Sequence, residues 1–406
     1  MMQSYDVTIV GAGIVGLTLA KSLANGKLSI AIIEANESTE LTAKPENRVS
    51  AISFASKTLF DNLGIWPLLK AQRVTPYHTM QVWEKDSFGK IDFDAKQVNQ
   101  KDLGYIVENK NLQQALLNAV QQQSNVTFFC PDSLQNMAIG DGEAWLTLNS
   151  GKQLTSKLVV AADGANSWVR QQLNIPLTQW DYDHHAIVAT VKTVEAHQAC
   201  ARQIFTGQGP LAFLPLFDAN TCSIVWSLPP MQAKMLLALD DAAFNQQLNR
   251  AFDNRLGLCE VQGQRQSIPL SMRYARDFAA HRVALVGDAA HTIHPLAGQG
   301  VNLGLLDAAC LGQEILEQSA LGNDIGLYNN LRHFERWRKA EATEMIASME
   351  LLKQLFNGVN PVQKILRDVA LLMADNISPL KKQFIKQAMG LGGNKPYLCL
   401  PKALTE

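Results

Sequence analysis

Near its start the chain carries a G-x-G-x-x-G segment, at Gly11, Gly13 and Gly16, directly after an apolar, β-branched run at residues 7–10. In such a strand-turn-helix unit the first glycine permits the turn, the second lets the backbone approach a diphosphate, and the third lets the helix pack on the strand. The next predicted strand ends at Glu34, 18 residues beyond Gly16, where a carboxylate can bind a ribose 2′-hydroxyl and disfavours a 2′-phosphate. The segment predicts a Rossmann-like α/β unit for the ADP half of FAD or NAD; a glycine turn without a ligand is the alternative.

Two further glycine segments follow predicted strands far along the chain. Asp163-Gly164 follows residues 157–160, and Arg170 lies on the next helical turn, from which it could pair with Asp163 or bind a phosphate. Gly287-Asp288 ends a strand at residues 283–286, and this acid could accept hydrogen bonds from ribityl hydroxyls. Either segment alone could be a surface turn. Together with the first, they predict that the bound dinucleotide is FAD.

A third set of candidate cofactor-binding residues precedes a predicted helix at 302–318 and consists of Pro295, Gly298, Gln299 and Gly300. The N-terminal amides of that helix would point at the flavin pyrimidine edge, where negative charge builds on reduction.

Two candidates for cofactor binding lie between the first and middle motifs. Arg48 begins a predicted helical stretch that ends at Gly64, and it could bind the diphosphate or an incoming nucleotide, or form a surface salt bridge. Asn109, where a predicted strand meets a helix, is the second.

Composition narrows the class of protein. A chain of 406 residues is long for one core, which predicts two domains or two with an extension. The net charge of −1 indicates no nucleic-acid partner. The six cysteines show neither C-x-x-C nor metal-ligand spacing, so we expect no metal and reduced thiols in the cytoplasm. The apolar N-terminal stretch of about 14 residues holds the glycine motif and follows Asp6, so we interpret it as a strand and helix start instead of a signal peptide or a membrane span.

Four sequence blocks carry a resemblance to a known family; they are residues 48–53, 180–186, 212–216 and 287–304. With the three glycine motifs, they make the chain similar, over essentially its full length, to the flavin-dependent aromatic hydroxylases of the p-hydroxybenzoate hydroxylase superfamily. Within it the chain resembles the ubiquinone-biosynthesis hydroxylases, above all those acting on 2-polyprenylphenol (2-octaprenylphenol).

The resemblance implies three parts, two of which alternate along the chain. They are a Rossmann-like FAD-binding domain at 1–75, 100–179 and 268–330, an inserted β-sheet substrate domain at 76–99 and 180–267, and a helical C-terminal region at 331–406. Strands predicted from the residues themselves agree with such a substrate sheet, at 186–191, 201–205, 211–216 and 223–226.

The resemblance also implies the chemistry. NADH or NADPH would reduce FAD, and O₂ would form a flavin C4a-hydroperoxide that hydroxylates a polyprenylphenol at C5. Because the cofactor supplies the difficult step, the protein needs no nucleophile or metal of its own. Open alternatives are hydroxylation at another ring position, a flavin reductase or dehydrogenase of the same fold, and a non-enzymatic FAD-binding subunit of a biosynthetic complex.

Side-chain roles at the reacting ring stay open. His291 and His294 could act as acid–base groups towards a phenol, or bond backbone at the turn as structural histidines. Four residues could line the substrate cavity or form sheet core; they are Phe213, Leu214, Pro215 and Trp226.

The C-terminal region is basic, with 11 Lys and Arg against 6 Asp and Glu over residues 331–395. Its apolar residues recur at helical spacing, so its helices could lie on anionic lipid, pack on partners in a multi-enzyme ubiquinone-biosynthesis complex, or cover a core. We therefore expect a cytoplasmic protein, peripheral to the inner membrane.

Overall fold

The computed structural model describes residues 2–37, 46–70, 73–87, 89–293, 300–356, 381–382, 385–386 and 389–402. Its strands are β1 (Gln3–Val10), β2 (Ile30–Ile33), β3 (Val49–Ile52), β4 (Val74–Tyr77), β5 (Thr79–Glu84), β6 (Lys90–Asp94), β7 (Gly104–Glu108), β8 (Val126–Phe129), β9 (Leu134–Ile139), β10 (Ala144–Leu148), β11 (Gln153–Ala161), β12 (Leu177–Thr193), β13 (Cys200–Thr206), β14 (Gly209–Pro215), β15 (Thr221–Leu228), β16 (Cys259–Ala275), β17 (Ala279–Ala280), β18 (Val283–Leu285) and β19 (His291–Thr292). Its helices are α1 (Ile14–Ser22), α2 (Phe54–Asn62), α3 (Trp66–Lys70), α4 (Asn109–Gln121), α5 (Trp168–Gln172), α6 (Pro230–Ala238), α7 (Asp241–Ala251), α8 (Gly300–Ala320) and α9 (Tyr328–Phe356).

The first sheet has a parallel centre. Its strands follow the order β17-β18-β11-β1-β2-β8, and β10 and β9 extend it from β11. β1 pairs in parallel with β2 on one side and with β11 on the other. β2 pairs in parallel with β8, and β11 pairs in parallel with β18. The strands of the centre are apolar on both faces, as a sheet covered by helices on each side requires. Because parallel strands end at the same edge, the segments after β1, β2, β11 and β18 meet there.

Two glycines allow α1 to pack tightly against this edge. Gly11 has φ +106°, and a Cβ there would lie 2.4 Å from the Ala162 carbonyl oxygen. A Cβ on Gly16 would lie 2.1 Å from the Gly11 carbonyl oxygen. Both contacts are shorter than any side chain tolerates, so these positions require glycine for packing alone.

The second sheet is mostly antiparallel and has the order β19-β16-β12-β15-β14-β13-β5-β6. α6 and α7 cover one face, and their apolar residues form a core with the inward side chains of the strands. The opposite face meets a small sheet of order β3-β7-β4 and two C-terminal residues, Ile385 and Met389. Apolar side chains line the space between the small sheet and the second sheet.

The architecture confirms the predicted fold class, an α/β flavoprotein fold with a large additional sheet. The strands predicted at 186–191, 201–205 and 223–226 lie within β12, β13 and β15 of the second sheet, and the strand predicted at 211–216 extends one residue beyond β14 of the same sheet. The predicted boundaries between the FAD-binding and substrate domains stay a prediction.

The helical stretch predicted from Arg48 to Gly64 was wrong in its first part. Residues 49–52 form β3, which pairs antiparallel with β7, and the helix α2 begins only at Phe54. The Ser53 side chain caps it by accepting a hydrogen bond from the Ser56 amide. A four-residue strand is too short to show its period, so the pairing with β7 decided its structure. Gly64 does follow the helix with φ +71°, as a C-terminal glycine should.

The C-terminal region begins with the long helix α9. The helix predicted around residues 365–373 lies outside the described residues. Ile385 and Met389 are buried between the sheets, which fits the interpretation that part of this region covers a core. Among the described helices, none is both long enough and apolar enough to cross a bilayer.

Candidate active site

Glu34 lies against the glycine turn at the edge of the first sheet. Its Oε2 accepts a hydrogen bond from the Ala12 amide at 2.7 Å, and its Oε1 accepts one from the Asn36 amide at 3.0 Å. The carboxylate therefore stands where β1 and β2 end, beside the start of α1. This is the position from which a ribose hydroxyl can be bound, and that role stays a prediction.

Gly13 differs from Gly11 and Gly16, because packing does not require a glycine there. A Cβ on Gly13 would meet no protein atom within 4 Å, and the residue has ordinary extended angles of φ −74° and ψ 179°. It precedes α1, whose first turn has no side-chain cap. Open space in front of uncapped helix amides fits a bound diphosphate, as expected for the FAD pyrophosphate.

The middle motif contains Asp163, whose carboxylate uses only one of its two oxygens in hydrogen bonds to the described part of the protein. Asp163 Oδ2 accepts hydrogen bonds from the Trp168 amide at 2.7 Å and the Val169 amide at 3.2 Å, at the start of α5. Its Oδ1 is buried and lacks a hydrogen-bond partner among the described residues. Because a buried carboxylate oxygen without a donor is unfavourable, a hydroxyl of the cofactor is a fitting partner. Gly164, with φ +81°, would direct a Cβ into open space beside it.

Arg170 does not form the predicted ion pair with Asp163. Its guanidinium donates to the carbonyl oxygen of Ala289 at 2.8 Å and to that of Ala165 at 2.9 Å, and the side chain is buried. These hydrogen bonds therefore go to backbone oxygens instead of to Asp163, and binding of a phosphate by Arg170 stays a prediction. Arg170 ties the middle motif to the late one, since Ala289 directly follows Gly287-Asp288.

Asp288 lies near charged residues that are distant in the sequence. The side chain is exposed. The surrounding protein nevertheless raises the pKa of its carboxyl through desolvation, against the opposing charges of His291, Arg48 and Arg273. The exposed Arg48 is thus brought near the late motif, as cofactor binding would require.

The start of α8 is fastened to β3 by a residue that sequence reasoning missed. Asn302 Oδ1 accepts a hydrogen bond from the Ser53 amide at 3.0 Å, and its Nδ2 donates to the Ala51 carbonyl oxygen at 2.8 Å. Gly300 opens α8, and a Cβ on it would meet no atom within 4 Å. Four predicted site residues lie outside the described residues; they are His294, Pro295, Gly298 and Gln299.

Asn109 adjoins β3 from the other side. Its Oδ1 accepts a hydrogen bond from the Ser50 hydroxyl at 2.6 Å, and its amide donates to the Arg48 carbonyl oxygen at 3.0 Å. It therefore supports the backbone that carries Arg48. Direct contact between Asn109 and the cofactor stays a prediction.

His291 belongs to a buried charge network, which favours the structural interpretation of this residue over acid–base catalysis. Its Nε2 lies 2.6 Å from Asp307 Oδ2, and this histidine is only 3% exposed. Asp307 Oδ2 also accepts from the Gly287 amide at 2.9 Å, and Oδ1 accepts from Arg338 Nε at 2.7 Å. Burial opposes ionisation of Asp307, but His291 and Arg338 outweigh it and lower the pKa of Asp307 to about 2.

Asp307 and Arg338 were not predicted. The sequence offers one indication of each residue, namely a charged side chain at an apolar position of an amphipathic helix. That indication does not show whether the side chain is buried, because this depends on how the helices pack. In the structure they join α8, α9 and the Gly287 turn.

A mostly apolar cleft separates the small sheet from the second sheet. Its empty volume is about 610 Å³, open solvent at its mouth included. Leu214 lines it, as predicted for a substrate residue. Because β3 forms part of its wall at Ala51, the cleft adjoins the segment that Asn302 fastens to α8. The cleft therefore lies beside β3, the strand that Asn302 joins to the start of α8.

Phe213 and Trp226 lie in sheet core instead of lining this cleft. Phe213 stacks on Phe252 with ring centroids 3.6 Å apart, and Trp226 packs on Phe244 at 6.2 Å. Both belong to the cluster under α6 and α7, on the far face of the sheet. Pro215 shares the face of Phe213, because side chains two apart in a strand point the same way. Of the four candidates, only Leu214 is among the cleft residues.

Comparison with known proteins supports a flavin site. The sequence model of the FAD binding domain family matches residues 4–327. The 3-demethoxyubiquinol 3-hydroxylase of Escherichia coli is 37% identical, and the match covers 96% of this chain and 99% of the relative. Ubiquinone hydroxylase UbiL of Rhodospirillum rubrum is 35% identical, over 97% of this chain and 92% of the relative. A mitochondrial ubiquinone biosynthesis monooxygenase of Xenopus tropicalis is 34% identical, over 94% of this chain and 92% of the relative.

Solved structures share the fold at lower identity. The p-nitrophenol 4-monooxygenase PnpA of Pseudomonas putida superposes with a TM-score of 0.79 at 17% identity, over 97% of this chain and all of that one. PqsL of Pseudomonas aeruginosa superposes with a TM-score of 0.77 at 21% identity, over 91% of this chain and all of that one.

Proposed function

Because this chain belongs to the FAD-dependent hydroxylases of ubiquinone biosynthesis, we propose that it hydroxylates a polyprenylated phenol, at C5 of a 2-polyprenylphenol. The family, the FAD cofactor and the class of enzyme are those that the glycine motifs and sequence blocks predicted. The substrate and the ring position are the proposal.

The apolar cleft beside β3 carries this proposal. An aromatic ring bearing a long hydrocarbon chain needs a site whose walls are largely apolar, and the cleft offers such walls next to the flavin-binding segment. When bound, FAD supplies the activation of O₂ with electrons from NADH or NADPH. The tasks left to the chain are to hold the ring, orient it and exclude water.

Residues on the edge of the first sheet would hold the cofactor. The α1 amides behind Gly13 would bind its diphosphate, Glu34 its ribose, and Asp163 and Asp288 its remaining hydroxyls. Arg48 would add a positive charge near the late motif. These roles rest on the open space and unpartnered atoms described above, and no metal is needed for them.

A second ring position is favoured by one of the relatives. The Escherichia coli relative is named as a hydroxylase of 3-demethoxyubiquinol at position 3, and it matches this chain almost end to end. The alternative function is therefore hydroxylation of a demethoxyquinol, a later precursor on the same ring. Contact with the inner membrane, a cytoplasmic location and membership of a biosynthetic complex stay predictions.

Deleting the gene and identifying the accumulated quinone precursors by mass spectrometry separates these functions. We expect a 2-polyprenylphenol to accumulate and ubiquinone to fall, because the step after this phenol is lost. Accumulation of a demethoxyubiquinone would instead establish the position-3 alternative. Unchanged ubiquinone without any precursor would contradict both. Re-expression of the wild-type chain restores ubiquinone, whereas re-expression of Gly13→Val serves as the cofactor-free control.

A further inference from the structure

Three polar residues, Tyr77, Arg202 and Gln203, line the mostly apolar cleft between the small sheet and the second sheet. The Arg202 guanidinium donates hydrogen bonds to the His197 and Cys200 carbonyl oxygens, so Tyr77 and Gln203 are the two polar residues considered for a ligand. Most of the lining is apolar and includes Met80, Phe93, Ile385 and Met389. Tyr77 projects from the small sheet on β4, and Gln203 belongs to β13 of the second sheet. The two polar residues therefore belong to facing walls of one cavity.

The Tyr77 hydroxyl lies near the end of β3, in the wall of the cleft that the small sheet forms. Tyr77 pairs with Gly104 across the small sheet, and a Cβ on Gly104 would come 2.7 Å from the Tyr77 hydroxyl and 2.9 Å from the Ile52 carbonyl oxygen. Only a glycine at 104 lets the ring lie there. Since Ile52 ends β3, the hydroxyl lies near the strand that Asn302 fastens to α8.

Tyr77 is suited to donate a hydrogen bond. The residue is 9% exposed, and burial raises the pKa of its hydroxyl to about 12. It therefore keeps its proton at neutral pH. A neutral phenol group in an apolar cavity can donate to a ligand oxygen but does not serve as a base.

Gln203 faces the same cavity with a complementary group. It is 6% exposed, and its cross-strand neighbours are Ala212 and Val82, which are apolar. Within the described part of the chain, neither the Gln203 amide nor the Tyr77 hydroxyl makes a side-chain hydrogen bond, and neither is among the fully enclosed polar atoms without a partner, so both are open to the cleft. An apolar ligand would enclose these two groups without a partner, so together they favour a ligand with a polar atom at this place.

We propose that Tyr77 and Gln203 together bind the ring hydroxyl of the phenolic substrate, with Tyr77 donating to its oxygen and the Gln203 side-chain carbonyl accepting its proton in a hydrogen bond. This inference rests on the proposed function and assigns two specificity residues to it. The same hydroxyl accepts one hydrogen bond and donates another, so it satisfies both protein groups at once. A ring without the hydroxyl leaves both groups buried and unpaired, which disfavours its binding.

Binding of 2-prenylphenol and prenylbenzene to the FAD-loaded protein tests this assignment. Each probe is titrated under anaerobic conditions, and its dissociation constant is read from the change in flavin absorbance. We expect the wild type to prefer the phenol by about tenfold or more, since the hydrocarbon leaves two buried polar groups unpaired. Tyr77→Phe and Gln203→Met should each reduce that preference to about threefold or less, with little effect on prenylbenzene.

Two matched variants control for altered folding. Tyr182→Phe removes the hydroxyl of another buried tyrosine, which lies on β12 outside the cleft lining. Gln81→Met changes a glutamine of β5 that pairs with Arg202 and so points to the face opposite Gln203. Both should keep the wild-type preference for the phenol.

The possible failures are distinguishable. If the wild type oxygenates 2-prenylphenol but Tyr77→Phe and Gln203→Met keep the full preference, the assignment of these two residues is wrong and the proposed function stands. If the wild type neither binds nor oxygenates any prenylated phenol, the proposed function fails and the assignment fails with it.

Discussion

Gly13→Val is expected to give a folded protein that binds no FAD. A Cβ at this position meets no protein atom within 4 Å, and φ −74° with ψ 179° is extended backbone that valine adopts readily. The added side chain would instead fill the space in front of α1 that the diphosphate needs. We expect flavin content to fall from about one FAD per chain to nearly none, while the circular dichroism spectrum stays that of the wild type.

Two other glycines provide the controls. Gly142→Val also adds a side chain where no atom lies within 4 Å, but between β9 and β10, away from the motif edge of the sheet. It should purify with a full complement of flavin. Gly16→Val should fail to fold, because its Cβ would overlap the Gly11 carbonyl oxygen. A yellow, fully loaded Gly13→Val protein would show that the cofactor does not lie in front of α1.

Asp307→Ala is expected to be among the most destabilising single substitutions in the chain. It removes the acceptor for Arg338, which is 0% exposed, and for the Gly287 amide and His291. Breaking a buried ion pair by removing one partner typically costs about 3–5 kcal/mol, and we expect a loss near the lower end of that range because Arg338 keeps Glu341 as a second partner. Urea unfolding of the cofactor-free protein measures the loss. Asp61→Ala is the control, since its pair with Lys57 is partly exposed and worth at most about 1 kcal/mol.

The same residue should shape stability in acid. The folded-state pKa of Asp307 is lowered from 3.8 to about 2, so its contribution is present above about pH 4 and is lost as the pH falls towards 2. Such a shift corresponds to roughly 2 kcal/mol of stability. Asp307→Asn has no carboxylate at this position, so its free energy of unfolding should lack this contribution above about pH 4 and the corresponding fall between about pH 4 and pH 2. Equal free energies of unfolding for wild type and Asp307→Ala at neutral pH would contradict the network's structural role.

The sequence predicted best what is encoded within a few neighbouring residues. Each glycine motif is a strand, a turn and a helix in succession, so the local pattern sufficed, and parallel strands bring their ends to one edge. β3 was missed because four residues are too few to show the alternation of apolar and polar side chains that is typical of a strand. These residues form a strand through their pairing with β7. The roles of Arg170 and Asp307 depend on partners 119 and 31 residues away, which no local pattern reveals.

The cleft shows the same limit more clearly. Its walls combine Tyr77, Gln203 and Met389, which come from three separate parts of the chain. Alternation along β14 places Leu214 on one face and Phe213 on the other, but the sequence does not say which face carries α6 and α7. The structure therefore shows which of these residues line the cavity and which belong to the sheet core, a choice that the sequence left open.

Isotope transfer from ¹⁸O₂ tests the central claim, that this chain uses bound FAD to place oxygen on a phenol ring. FAD-loaded protein is mixed with NADH or NADPH, 2-prenylphenol and ¹⁸O₂, and the molecular mass of the product is measured by mass spectrometry. We predict a dihydroxylated ring that carries one ¹⁸O atom from O₂, and no product with Gly13→Val. Reduction of the flavin with the ring left unoxygenated, or a new hydroxyl without the label, would contradict the account.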